Sequence, residues 1–281
     1  NISIENVNHI TGVGNGKSIG MKGTGTKTED GSKTPGILTA QAAGNADITL
    51  FGEAASDNLS IEAENTSITS RGHITNGSYT ARKALRVHTA KGSSITGGTF
   101  SGASADIANT GTISGGDYSA KTGRLAVDND GKLTDGTYTA NADALTITNH
   151  GTIEQGSYTA HGDFTYTDSV DASVSDSTFI SETGKATVTA HGNLTLTELS
   201  AKHNAAITAD GNAALNKITA GSLHAKSITG SVTAGTSAFP SDSLLSRFDV
   251  SYAAFYTSSK RAIALEHVKL SNRKSTDVVS F

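Results

Sequence analysis

Between Ile113 and Gly131 the apolar positions fall into three short clusters: Ile113 alone, then Tyr118 with Ala120, then Leu125 with Val127. One small or polar residue separates the members of each pair. Side chains two apart lie on one side of an extended chain, so each cluster predicts a short strand with one buried face. The last cluster recurs as Leu85/Val87, Ala105/Ile107, Leu125/Val127, Leu145/Ile147, Phe164/Tyr166, Ala186/Val188 and Ala205/Ile207. The middle one recurs around an aromatic residue, at Tyr79, Phe100, Tyr118, Tyr138, Tyr158 and Phe179, then more loosely at Leu199 and Ile218, in steps of 18 to 21 residues. Three clusters per repeat imply three faces per coil. A fixed period in this range is the signature of a solenoid, whose repeats contact only their neighbours.

A helical repeat does not fit. No stretch places apolar residues at three-and-four spacing, and Gly and β-branched Thr are too frequent for helices. The predicted fold is therefore all-β: a parallel β-helix of about 20-residue coils, neighbouring turns standing about 4.8 Å apart, with a distinct C-terminal segment. Composition agrees, since 31 Gly, 2 Pro, no Trp and few aromatics supply little for a large globular core. A narrow tube filled by Val, Ile, Leu and Ala needs less, and its backbone groups pair with the coils on either side.

Three segments are expected. Residues 1–41 form an irregular leading coil with a Gly-rich surface loop around Thr24 to Pro35. Residues 42–239 carry the β-helix repeats. Residues 240–281 lose Gly and gain Phe248, Tyr252, Phe255, Tyr256, Lys260 and Arg261, which reads as a cap or a receptor-contacting segment. The absence of cysteine removes any disulfide framework. No run is apolar enough for a membrane-spanning helix, no signal peptide precedes Asn1, and a start at Asn suggests an excised piece.

The aromatic series Tyr79, Phe100, Tyr118, Tyr138, Tyr158 and Phe179 is either a sugar-binding stripe outside or a stack inside. The inside is expected, because Phe and Leu replace Tyr in some coils and the residue two further on is small. Asn109, Asn129 and Asn149 are spaced by twenty, with Asp168 next in line. They are read as a structural asparagine ladder at a turn rather than a ligand rail. The histidines at 88, 150, 161, 191, 203 and 224 fall at differing places in their coils and suggest no zinc set. A β-helical polysaccharide lyase or hydrolase would need acids gathered on one face, for which Asp128, Asp130, Asp135 and Asp168 are the nearest candidates. They read better as turn residues. Gly14 to Ser18 lacks the spacing and the following helix of a phosphate loop. A net charge of −4 with no basic stripe argues against nucleic acid. Neither catalytic residues, metal nor cofactor are expected.

The units Ala190 to Thr197, reading A-H-G-N-L-T-L-T, and Ala209 to Leu215, reading A-D-G-N-A-A-L, resemble the repeats of the filamentous haemagglutinin family. That family comprises two-partner secreted adhesins and contact-dependent inhibition effectors. The resemblance covers roughly residues 42–235 and implies a right-handed β-helical shaft, secreted and held at a bacterial cell surface. It further implies an outer-membrane secretion partner for the full-length protein and a target-cell receptor, protein or glycan. The chain lacks the family's Asn-Pro-Asn secretion motif and a toxin-like domain, so the resemblance implies an internal piece, or an autotransporter passenger that shares the fold.

Overall fold

The computed structural model describes residues 60–229 throughout, residues 44–49 and 232–233 with their side chains, and elsewhere between Ser3 and Phe255 the backbone of strands alone. Two compact units make up the chain, Asn1–Ala142 and Asp143–Phe281. Among the described residues every regular element is a strand. Among the described residues every long-range strand pairing is parallel and joins a strand to its counterpart one coil away, as the twenty-residue period requires; the antiparallel pair, Thr26–Lys27 with Lys33–Thr34, is local. The protein is thus a parallel β-solenoid.

In the first unit each coil contributes three strands. One face is built from Asn65–Ser70, Ala84–Thr89, Ser104–Asn109 and Leu125–Asn129, with Ile68, Val87, Ile107 and Val127 in register and buried. A second, shorter face places Ile74, Ile95, Ile113 and Leu133 above one another. The third face, from Ser78–Ala81, Thr99–Gly102, Asp117–Ala120 and Thr137–Ala140, aligns Tyr79, Phe100, Tyr118 and Tyr138. The strands alternate buried and exposed positions, which is why a repeat so rich in Thr and Ser still fills a continuous core.

A two-residue left-handed turn joins the second face to the third: Asn76-Gly77, Gly97-Gly98, Gly115-Gly116 and Asp135-Gly136 all have positive φ. Asn and Asp tolerate the first position, whereas the second needs glycine for space as well as for φ. A Cβ on Gly116 would stand 2.7 Å from the Gly97 carbonyl oxygen of the preceding coil.

The second unit keeps the first face as Leu145–Asn149, Phe164–Asp168 and Ala186–Ala190, continued by the ends of Leu194–Ala209 and Ala213–Ser227. Its turn changes along the stack. Gln155-Gly156 is left-handed like the turns above, Asp176 keeps a φ of 53°, and Leu194–Ala209 then runs through as one strand of 16 residues. Buried Leu196 fills the corner that the turn had occupied. The aromatics end nearby: Phe179 meets Tyr158 edge-on at 5.6 Å and packs against Phe164 at 4.7 Å and Tyr166 at 5.2 Å. Leu199 and Ile218 succeed it in register.

The terminal segments also pair with the coils. Ser3–Glu5 and Ile19–Gly23 are joined in parallel, as are His9–Gly14 and Ile37–Ala42. Inside the expected loop, Thr26–Lys27 pairs antiparallel with Lys33–Thr34. In the tail, Arg247–Asp249 pairs with His224–Lys226 and Tyr252–Phe255 with Ser231–Ala234, both parallel.

Candidate binding faces and internal ladders

The aromatic column lies inside the tube. Ring centroids of Tyr79, Phe100, Tyr118 and Tyr138 are 4.6, 4.6 and 4.8 Å apart, with interplanar angles below 10°. All four residues are buried, as are Tyr158 and Phe179. The strand spacing sets this face-to-face stacking, since identical register brings each ring over the next. No sugar can reach these rings. Burial raises the phenol pKa of Tyr79, Tyr118, Tyr138 and Tyr166 far above its ordinary value. The hydroxyls of Tyr79 and Tyr118 have no hydrogen-bond partner among the described residues. Their contribution is the apolar ring, consistent with phenylalanine at Phe100.

The asparagines form the internal corner after the first face. Asn109 Nδ2 donates to Asn129 Oδ1 at 2.7 Å and to the Lys132 carbonyl at 3.1 Å, while its own Oδ1 accepts from Gly111 N–H at 3.2 Å. In the second unit Asn149 repeats the pattern with Gly151 N–H and the Ser173 carbonyl, and also donates to the Tyr166 hydroxyl at 3.1 Å. Both amide ends are occupied within the protein, so these residues hold coils together.

Asp168 stands where the next asparagine would. Its buried carboxylate accepts from the Tyr166 hydroxyl at 3.1 Å and from His191 N–H, and the His191 ring nitrogen Nδ1 lies 3.4 Å away. Burial pushes its pKa above the usual carboxylate value, against those hydrogen bonds, which act the other way. The sequence offers no sign of this network beyond the change from Asn to Asp. The other acids considered occupy different settings: Asp128 and Asp130 are exposed, and Asp135 is a left-handed turn residue.

Of the histidines, His161 pairs with Glu182 at 3.0 Å, while His88, His150, His203 and His224 are exposed. Ion pairs between neighbouring coils, Glu62–Arg82, Glu64–Lys83, Asp106–Arg124 and Glu198–Lys217, span 2.6 to 3.6 Å on the surface. At that exposure they favour register more than stability. Over the left-handed turns lies a shallow depression of about 510 Å³, floored by Gly77, Gly97, Gly98 and Gly116 and edged by Asn76, Ser78, Thr99 and Asp117. The remaining outward positions mix Thr and Ser with charged residues and Gly. Phe248, Tyr252 and Phe255 lie on the tail's paired strands, but their side chains, and Tyr256, Lys260 and Arg261 altogether, fall outside the described residues.

The class of protein that these features define is a parallel β-solenoid with an apolar interior. A segment of 45 residues, 16% of this chain, is 98% identical to the long-tail fiber protein gp35 of Enterobacteria phage T4, and it spans 12% of that relative. No protein-family model and no solved structure matches the chain.

Proposed function

We propose that the chain is a non-enzymatic shaft segment of a surface fibre, a β-solenoid that carries binding faces to a target cell. The near-identity of one segment to a phage long-tail fiber protein is the observation that supports it. On this reading the carrier is a virion, the location is extracellular, and the partner is a receptor, protein or glycan, on the host surface. Stacking suits the role because each added coil repeats the same outer surface, and weak contacts repeated along a fibre sum to avidity. The buried phenols, the occupied asparagines and the enclosed Asp168 are structural, which supports the non-enzymatic reading.

A second reading, a segment of a two-partner secreted exoprotein on a bacterial surface, rests on the Ala190 to Thr197 and Ala209 to Leu215 units. Gold-labelled antibody against residues 60–229 separates the two. Decoration of phage tail fibres is the expected result; decoration of bacterial outer surfaces with bare virions would replace the first reading by the second. Labelled protein should also bind intact host cells saturably, with and without residues 240–281 compared, and should release no reducing or unsaturated sugars from polysaccharide. Turnover would sink the non-enzymatic proposal.

A further inference from the structure

On the first face of the second unit, threonine fills the two outward columns through three and four successive coils. Thr146 is in register with Thr165, and Thr165 with Thr187; beside them Thr148, Thr167, Thr189 and Thr208 follow one another. Ala206 completes the first column. Ile147, Tyr166, Val188 and Ile207 point inward between them, which turns every one of these threonines outward. The strip is therefore a grid with a spacing of about 4.8 Å along the stack and about 7 Å along each strand. Threonine is β-branched and stiff at χ1, so its hydroxyl and methyl groups repeat with the strands.

What separates this strip from the other outward faces is its charge. Its hydroxyls make no hydrogen bond to another group among the described residues and face solvent, as outward threonines do on the other faces. Turn threonines are engaged by contrast: Thr183 and Thr229 donate to the carbonyls of His161 and Asp210 one coil back. Charge is also absent from both columns from Thr146 to Thr208. The equivalent columns of the first unit hold Asp47, Arg86, His88, Asp106 and Asp128, and the third face of the second unit carries Glu198 and Lys217. The uncharged run stops at His224 and Lys226, which occupy the next positions in register.

We infer that these seven threonines form a docking strip for a neutral, extended glycan chain lying along the stack. The proposal deepens the fibre-shaft reading and rests on it. Outward hydroxyls can donate to and accept from sugar hydroxyls, while the methyls between them meet sugar C–H groups. The lack of charge gives an acidic or phosphorylated polymer no attraction along the strip. A flat surface without a pocket suits a repeating polymer rather than a small ligand, because affinity has to come from many equivalent weak contacts.

Affinity electrophoresis of the full chain through gels containing dextran, galactomannan or alginate tests it, with T167V/T189V as the variant. Valine keeps the branch and the shape and removes only the hydroxyls; circular dichroism checks the fold, and T167S/T189S, which restores the hydroxyls, serves as the second variant. The expected result is retardation by a neutral polysaccharide, weakened roughly fivefold or more in the valine variant and recovered with serine, and none by alginate. Equal retardation of wild type and valine variant, preference for alginate, or no retardation by either neutral polymer would overturn the proposal. So would shaping of ice crystals without glycan binding, which would assign the grid to ordered water. Host-cell binding by the wild type that T167V/T189V leaves unchanged would remove the strip and spare the fibre reading, whereas absence of any cell binding would count against the fibre reading itself.

Discussion

Tyr118 carries a hydroxyl that its surroundings do not use. The ring is clamped between Phe100 and Tyr138, and the oxygen is buried without a partner among the described residues. Leaving a polar atom so placed costs on the order of 1 kcal/mol or more. Tyr118→Phe is therefore expected to leave the thermal midpoint unchanged or raise it, while Tyr118→Ala lowers stability by about 3–5 kcal/mol; denaturation followed by circular dichroism checks both. Asp168 makes the opposite case, a charge enclosed where neighbouring coils place an amide. Because burial raises its pKa in the folded protein, the folded state holds this proton more tightly than the unfolded one. Stability from this group is then greatest below the ordinary carboxylate pKa and falls as pH rises through the unfolded and then the folded value. Asp168→Asn should remove that fall, so the gap in melting temperature between variant and wild type widens from acid to neutral pH. A constant gap would show that the carboxylate does not titrate differently in the two states.

At the scale of the coil, the left-handed turn is the least forgiving element. Gly116→Ala combines a φ of 89° with a Cβ pressed against the carbonyl of the coil before, and that backbone cannot retreat without breaking its own ladder. A loss of about 2 kcal/mol or more in urea unfolding is expected, whereas Gly123→Ala, with normal φ and a nearest contact of 3.3 Å, should cost far less. Much of the coil was legible in the sequence, though not this turn. The aromatic step and the alternation around it set out the strands and their inward faces. Three further things were not. The twenty-residue step continues past Asp176, yet the turn disappears, because Leu196 is apolar at a corner that had been polar, and periodicity alone does not report a corner's shape. The threonine columns went unread, since alternation reports that a position faces outward but not which residues of neighbouring coils it meets in register. Asp168 was placed in the asparagine series by spacing, but its enclosure depends on Tyr166 and His191, which the series does not contain.

For the molecule as a whole, modularity is the governing property. If each coil is stabilised by its own neighbours, one coil can be removed without refolding the rest. Ala84 is in register with Ser104 and Leu85 with Ala105, so deleting residues 85–104 brings equivalent positions together. The shortened chain should remain folded, with an unchanged β-sheet circular dichroism spectrum per residue and a cooperative transition a few degrees from that of the parent. Collapse to a non-cooperative transition would mean that these coils are not interchangeable. The carrier, whether virion or bacterial surface, is a separate matter that imaging decides.

The coil-to-coil register has one more consequence, for a chain under tension. Coils within a unit are joined in single file, each held to the next by its ladders and its buried ring or amide. A pull on the end of a unit therefore strains the outermost coil first and spares those beneath until it has come away. Each release of about 20 residues lets out about 70 Å of slack, so the load drops before the next coil feels it. Built this way, the solenoid yields to force by paying out length in steps, and every step can be rewound.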